Sequence, residues 1–270
     1  PSYEWPKFMP DTQEKTGGVR DGSLVLITAG TGSGKSQLKR NLQVHFHDVL
    51  PDEYKIADLS LEESVGETAR GLVEVYAGTR FSQEGIIIRP EDEQDAFDAL
   101  FSTGRFTFYD SSSLSNLDQI ISKLKWLYLT GHKMIYFDHV SGIIDADDSN
   151  SPERKKLDVL MYKLREFVVE TGCIVFVIVH LRKSDSSTKS FETGLVPSLD
   201  DLKGSSGLKQ VAWTVLGLQR NLQHDNPDNR ALAIVHVLKS RHTGSTGRSD
   251  CLMFNPDTAR YKCVPKPLDY

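Results

Sequence analysis

The stretch Ser23-Leu-Val-Leu-Ile-Thr-Ala29, continued by Gly30-Thr-Gly-Ser-Gly34-Lys35-Ser36, decides how this chain is read. An apolar, β-branched run reads as a buried strand. A loop with three glycines follows, then Lys-Ser, then a helical pattern from Gln37 to about Val49. Strand, phosphate loop and helix form the context that a P-loop requires. The glycines let successive backbone N–H groups turn inward around a β-phosphate, and the helix N-terminus adds a favourable dipole. Lys35 is placed to reach the β- and γ-phosphates, and the Ser36 hydroxyl to ligate Mg²⁺. Ala29 stands where the strict pattern has glycine, keeping a small residue at the turn. The nucleotide-binding run is therefore Ala29, Gly30, Thr31, Gly32, Ser33, Gly34, Lys35, Ser36 and Gln37.

Outward from this unit, apolar strands alternate with helical patterns. Strands are expected at Lys55 to Leu61, Arg105 to Tyr109, Met134 to Val140 and Ile174 to His180. Helices are expected at Val65 to Tyr76, Glu91 to Phe101, Leu117 to Leu129 and Glu153 to Val169. Such alternation predicts an α/β fold with a mostly parallel sheet flanked by helices. Residues 181–206 break the rhythm and read as a long functional loop. Beyond them Thr214 to Leu218, Ala231 to Leu238 and Leu252 to Phe254 look like strands without long helices between them, predicting antiparallel additions at one sheet edge. Residues 1–20 read as an N-terminal arm or linker and 21–270 as one domain. The chain opens without Met, as an excised domain would.

Composition narrows the class. With 270 residues, 39% hydrophobic and 26% charged, the chain can bury one sizeable core. Its longest apolar run, Cys173 to Val179, is too short to span a bilayer, and the N-terminus carries no signal pattern. Three widely spaced cysteines fit a reducing, cytoplasmic setting rather than a disulfide framework. The formal net charge of −5 confines any nucleic-acid contact to a local lining or loop.

Several further residues carry candidate chemistry. Met134-Ile-Tyr-Phe137-Asp138 is a hydrophobic strand ending in a carboxylate, as expected of a group that holds Mg²⁺ beside a P-loop. Glu62, just past another strand, could polarise an attacking water; the other reading is a carboxylate favouring a helix N-terminus, which Glu63 or Glu67 suits better. His180 could contact a γ-phosphate or be a satisfied core-edge histidine. Arg241, read alone, is a solvated strand end. Lys203, Gly204, Ser205 and Lys209, preceded by Arg182, combine charge and hydroxyls of the kind that contact phosphate backbones without reading sequence. A mobile charged loop is the alternative.

At this point the residues resemble a known family. Leu61-Glu-Glu-Ser-Val-x-Glu-Thr-Ala69, Tyr109-Asp110-Ser111, Phe137-Asp138-His139, Val179-His180-Leu181, Asp201-Leu-x-Gly204-Ser205 and Lys239-x-Arg241-x-Thr-Gly-x-Thr-Gly247 are similar to the RecA-like motor domain of DnaB-family hexameric replicative helicases. Within that family the chain looks most like the helicase half of the T-seven-like phage primase–helicases. The resemblance implies a RecA-like P-loop NTPase core hydrolysing ATP or dTTP with Mg²⁺. It implies a ring, hexameric in that family, moving 5′–3′ on single-stranded DNA, with a primase module and a replicative polymerase as candidate associates. It assigns Glu62 as catalytic base, Asp138 as the magnesium-organising carboxylate and His180 as γ-phosphate sensor. Arg241 becomes a finger inserted into a neighbouring subunit's site. Arg220 and Phe254 match positions that cradle or stack on the base, and Lys203, Gly204, Ser205 and Lys209 those lining a central channel. The family has Arg where Lys203 and Lys209 stand; charge is kept but not the bidentate fork. The family's zinc-binding primase module and linker helix have no counterpart expected here beyond residues 1–20. Two other readings are a filament-forming recombinase or repair ATPase, and a non-motor nucleotide switch or scaffold.

Overall fold

The computed structural model describes residues 1–60, 63–81, 89–109, 116–138, 153–181, 190–202 and 206–266. After a short N-terminal segment with β1 (Ser2–Tyr3), α1 (Pro10–Thr16) and β2 (Val19–Arg20) come β3 (Leu24–Ala29), α2 (Lys35–Val49), β4 (Lys55–Ser60), α3 (Val65–Ala77), α4 (Pro90–Phe101) and β5 (Phe106–Tyr109). The chain continues through α5 (Leu117–Leu129), β6 (His132–Asp138), α6 (Glu153–Thr171), β7 (Ile174–His180), α7 (Ser206–Val211), β8 (Thr214–Gln219), α8 (Pro227–Arg230), β9 (Leu232–Ser240), β10 (Gly247–Asn255) and β11 (Arg260–Val264).

Among the described residues the main sheet has the order β11-β10-β9-β8-β3-β7-β6-β4-β5. β8, β3, β7, β6, β4 and β5 run parallel; β9, β10 and β11 add on antiparallel. The mostly parallel sheet with an antiparallel edge is the one the alternation predicts. Both faces of the central strands are covered, so they read as unbroken apolar runs. Alternate residues serve opposite cores: Leu24 and Leu26 pack with α5 and α6, whereas Val25, Ile27 and Ala29 pack with Leu38, Leu42 and Phe46 of α2. This fixes the register of β3, because a one-residue slip would exchange its two faces.

Local chemistry sets the helix boundaries. Ser64 and Glu67 form a capping box at the start of α3, and Asn116 accepts a hydrogen bond from Gln119 N–H at the start of α5. Glu67 is thus the helix-start carboxylate, while Glu63 pairs with Arg40 at 2.7 Å.

Residues 1–20 pack against the domain. Trp5, Met9, Thr12 and Thr16 are buried. A bulge between Arg248 and Cys251 turns Ser249 and Asp250 toward α1. The Asp250 carboxylate accepts from the backbone N–H groups of Asp11 and Thr12, both at 2.9 Å. Its charge therefore meets the positive end of the helix.

The candidate nucleotide site

The loop after β3 is shaped by its backbone. Gly32 and Gly34 have φ of 70° and 94°, the left-handed region that glycine enters without penalty. Gly34 also leaves room for a neighbour: a Cβ there would lie 2.5 Å from the Tyr261 hydroxyl. Lys35 Nζ donates to the carbonyls of Ala29 and Gly30 at 3.1 and 3.0 Å. The loop borders a cavity of about 370 Å³ lined by residues 31–37 with Arg40 and His180. His180 ends β7 directly opposite Ala29 in the parallel register, which brings it to the same edge of the sheet.

Beneath the loop lies a buried charged cluster. Lys39, one helical turn after Lys35, is fully buried. Its ammonium lies 2.9 Å from Asp138 Oδ2 and 3.2 Å from Asp58 Oδ2, and donates to Ser60 Oγ at 2.8 Å. Gln43 and Ser60 both donate to Asp58, at 2.7 and 2.8 Å. Burial works against the Lys39 ammonium, but Asp58 and Asp138 outweigh it and raise its pKa above the ordinary lysine value. Removing one member of such a cluster leaves an uncompensated buried charge, a loss on the order of 3–5 kcal/mol. Ser60 and Asp138 are register partners, so β4 and β6 end side by side.

Three supports of the loop escape a motif reading. Phe191 packs so closely that a Cβ on Gly30 would sit 2.8 Å from its own Cβ. The neighbouring Glu192 carboxyl is held below the ordinary range by its own N–H, the Ser190 hydroxyl, the Thr31 N–H and nearby Lys35. Tyr261 is the third: burial pushes its phenol up to about 12, with the Arg220 guanidinium working the other way. The β10–β11 turn is fastened to α2, since Gln37 and Asn41 donate to Ala259 O at 2.6 and 3.1 Å.

The remaining candidates separate. Arg220 lies by Gly34, 3.9 Å from the position a Cβ would take, and its Nε donates to Arg230 O. Phe254 leans on Tyr261, ring centroids 5.4 Å apart. Arg241 sits far from the loop. Its N–H bonds Trp213 O, and Trp213 N–H bonds Leu24 O at the start of β3. The guanidinium lies 5.4 Å from the centre of the Trp213 ring. β3 is six residues long, so about 17 Å of strand at roughly 3.3 Å per residue separates this end from the P-loop. Lys209 shares the Arg241 end, on α7 rather than on a loop, and its ammonium pairs with Asp200. Lys239 donates to Lys209 O; burial, then Arg241 and Arg165, lower its pKa. Glu62, Arg182, Lys203, Gly204 and Ser205 lie outside the described residues.

A glycine loop at the end of the central strand, with a carboxylate ending a nearby parallel strand, has the arrangement of a P-loop fold of RecA-like architecture. The fold matches a solved structure described as a DnaB-like replicative helicase and its interactions with primase. The TM-score is 0.73, covering 96% of this chain and 62% of that one at 18% identity. The family described as DnaB-like helicase C terminal domain matches residues 7–263, and the chain belongs to it. It is 33% identical over 250 residues to the DNA helicase/primase of Enterobacteria phage T3, covering 91% of this chain and 43% of that protein. It is 27% identical over 214 residues to the replicative DNA helicase DnaB of Helicobacter pylori strain J99, covering 76% of this chain and 41% of that protein. The chain thus spans less than half the length of the phage and Helicobacter relatives. Among the described residues no helix is long and apolar enough to cross a membrane.

Proposed function

We propose that this chain is the motor of a ring-forming replicative DNA helicase, which hydrolyses ATP or dTTP and moves 5′–3′ on single-stranded DNA. The observation that supports the reading is the cavity bounded by residues 31–37, Arg40 and His180, in a chain of the DnaB-like family. Backbone N–H groups of residues 31–36 cradle the phosphates, and Lys35 leaves its carbonyl partners to meet them. Ser36 and Asp138 supply oxygen donors, the chemistry a hard cation takes. When bound, Mg²⁺ neutralises charge on the β- and γ-phosphates. Glu62 acts as the base that orients the attacking water, and His180 reports on the γ-phosphate. Arg220 and Phe254 serve the base side. Arg241 reaches the cavity of the next subunit in a ring, as its distance from its own P-loop favours. Arg182, Lys203, Gly204, Ser205 and Lys209 contact the DNA backbone, and a primase module and polymerase are its replication partners.

The test is NTP turnover with and without single-stranded DNA, with native mass measured alongside. Turnover stimulated by DNA in a ring is expected, with Lys35→Ala abolishing it. Helical filaments with strand exchange would indicate a recombinase, and turnover indifferent to DNA a nucleotide switch.

A further inference from the structure

Lys39 ties together the parts of the site that the sequence scatters. It projects from α2 one turn beyond Lys35 and touches the last residues of two neighbouring strands, Ser60 of β4 and Asp138 of β6. Asp58 is its second carboxylate, itself held by Gln43. The ammonium is thus shared between a carboxylate outside the proposed chemistry and one inside it. A cation fixed 2.9 Å from Asp138 both anchors that carboxylate and opposes any second cation drawn to it.

We propose that Lys39 is a positioning residue that sets the divalent-cation requirement of nucleotide binding, with Asp58 tuning how strongly its ammonium engages Asp138. The proposal rests on the reading of Asp138 as the carboxylate that organises Mg²⁺. Weakening the ammonium's other partner turns it more fully onto Asp138 and disfavours Mg²⁺. Removing the ammonium favours Mg²⁺. The two changes therefore act in opposite directions, which loosened packing would not produce.

The experiment is the binding of a fluorescent, non-hydrolysable NTP analogue to the 270-residue chain across a Mg²⁺ titration. Circular dichroism verifies the fold of each variant. Lys39→Met is expected to lower half-saturating Mg²⁺ by about tenfold, the effect of removing a unit charge a few ångström from a divalent ion even at the dielectric of water. Asp58→Asn, which keeps the shape and the ammonium, is expected to raise it several-fold. Should Lys39→Met not fold, Lys39→Met/Asp58→Leu replaces the ion pair by apolar groups, and half-saturating Mg²⁺ is again expected to fall. Shifts in the same direction for Lys39→Met and Asp58→Asn, or none in either, overturn the proposal and leave Lys39 a packing residue. Asp138→Asn separates the two levels: a wild-type Mg²⁺ response in that variant overturns the reading of Asp138, and the proposal with it.

Discussion

Where β3 stops, lysines are engaged within the chain: Lys35 bonds two loop carbonyls and Lys39 is sealed among carboxylates. Where β3 starts, basic groups gather near the surface. Arg241 is exposed over Trp213, and Lys239 and Lys209 are half-exposed beside it. Buried cations hold a geometry, whereas these stay open to solvent, with Lys209 paired to Asp200 and Lys239 donating to Lys209 O. The difference teaches that one end of the sheet fixes its lysines inside the fold, while the other presents its basic groups to solvent.

The sharpest way to break this contrast is Arg241→Ala. If Arg241 serves a neighbour's site, turnover is expected to fall by roughly 10³–10⁵ while nucleotide affinity stays within a few-fold. Mixing these subunits with Lys35→Ala subunits is expected to restore part of the turnover, because each supplies what the other lacks. Full activity from a monomer, by light scattering, would erase the distinction between the two ends. Lys209→Ala is expected to be milder. If Lys209 meets a DNA phosphate, the slope of log affinity against log salt should flatten by about 0.7, as for one contact on a single strand. An unchanged slope would leave Lys209 as the partner of Asp200 alone.

An effect on stability rather than turnover is expected at His236, whose register partner Gly217 pairs with Thr28 near the P-loop end of β3. Its Nε2 lies 2.8 Å from Gln219 Oε1, and burial, followed by Arg248, pushes its pKa from 6.5 to about 4. Below pH 6.5 the unfolded chain takes up a proton that the folded chain refuses. Stability is therefore complete above that pH and is lost as pH falls toward 4, with a slope of at most about 1.4 kcal/mol per pH unit. His236→Asn is expected to flatten that slope in denaturant unfolding; an unaltered pH profile would assign the loss elsewhere.

Much of the sheet was legible because its central strands are apolar runs punctuated by glycine and polar turns. The expected strand at Lys55 to Leu61 and helix at Leu117 to Leu129 appear within a residue of those bounds among the described residues. β11 was not legible, because Arg260-Tyr-Lys-Cys-Val buries only Tyr261 and carries no apolar run. Residues 1–20 looked like an arm because their buried apolar side chains, Trp5, Met9 and Val19, are spread along the segment without a long apolar run. The tight glycine loop after β3 was legible through local spacing. Lys39 and Asp58 could not, since each alone looks like an ordinary charge and only folding sets them 3.2 Å apart. Phe191, Glu192 and Tyr261 reach the loop across long separations for which no local pattern exists.

Those separations have a consequence for synthesis. The loop emerges from the ribosome well before its supports: β7 and β8 flank β3, and Ala259 is bound by Gln37 across 222 residues. Domains made of such distant pairings close late. Nascent chains arrested before β10 are expected to retain no labelled nucleotide, and tight retention by them would show the loop to be self-sufficient. A growing chain would then be kept from drawing on the nucleotide pool until nearly its whole domain had been translated.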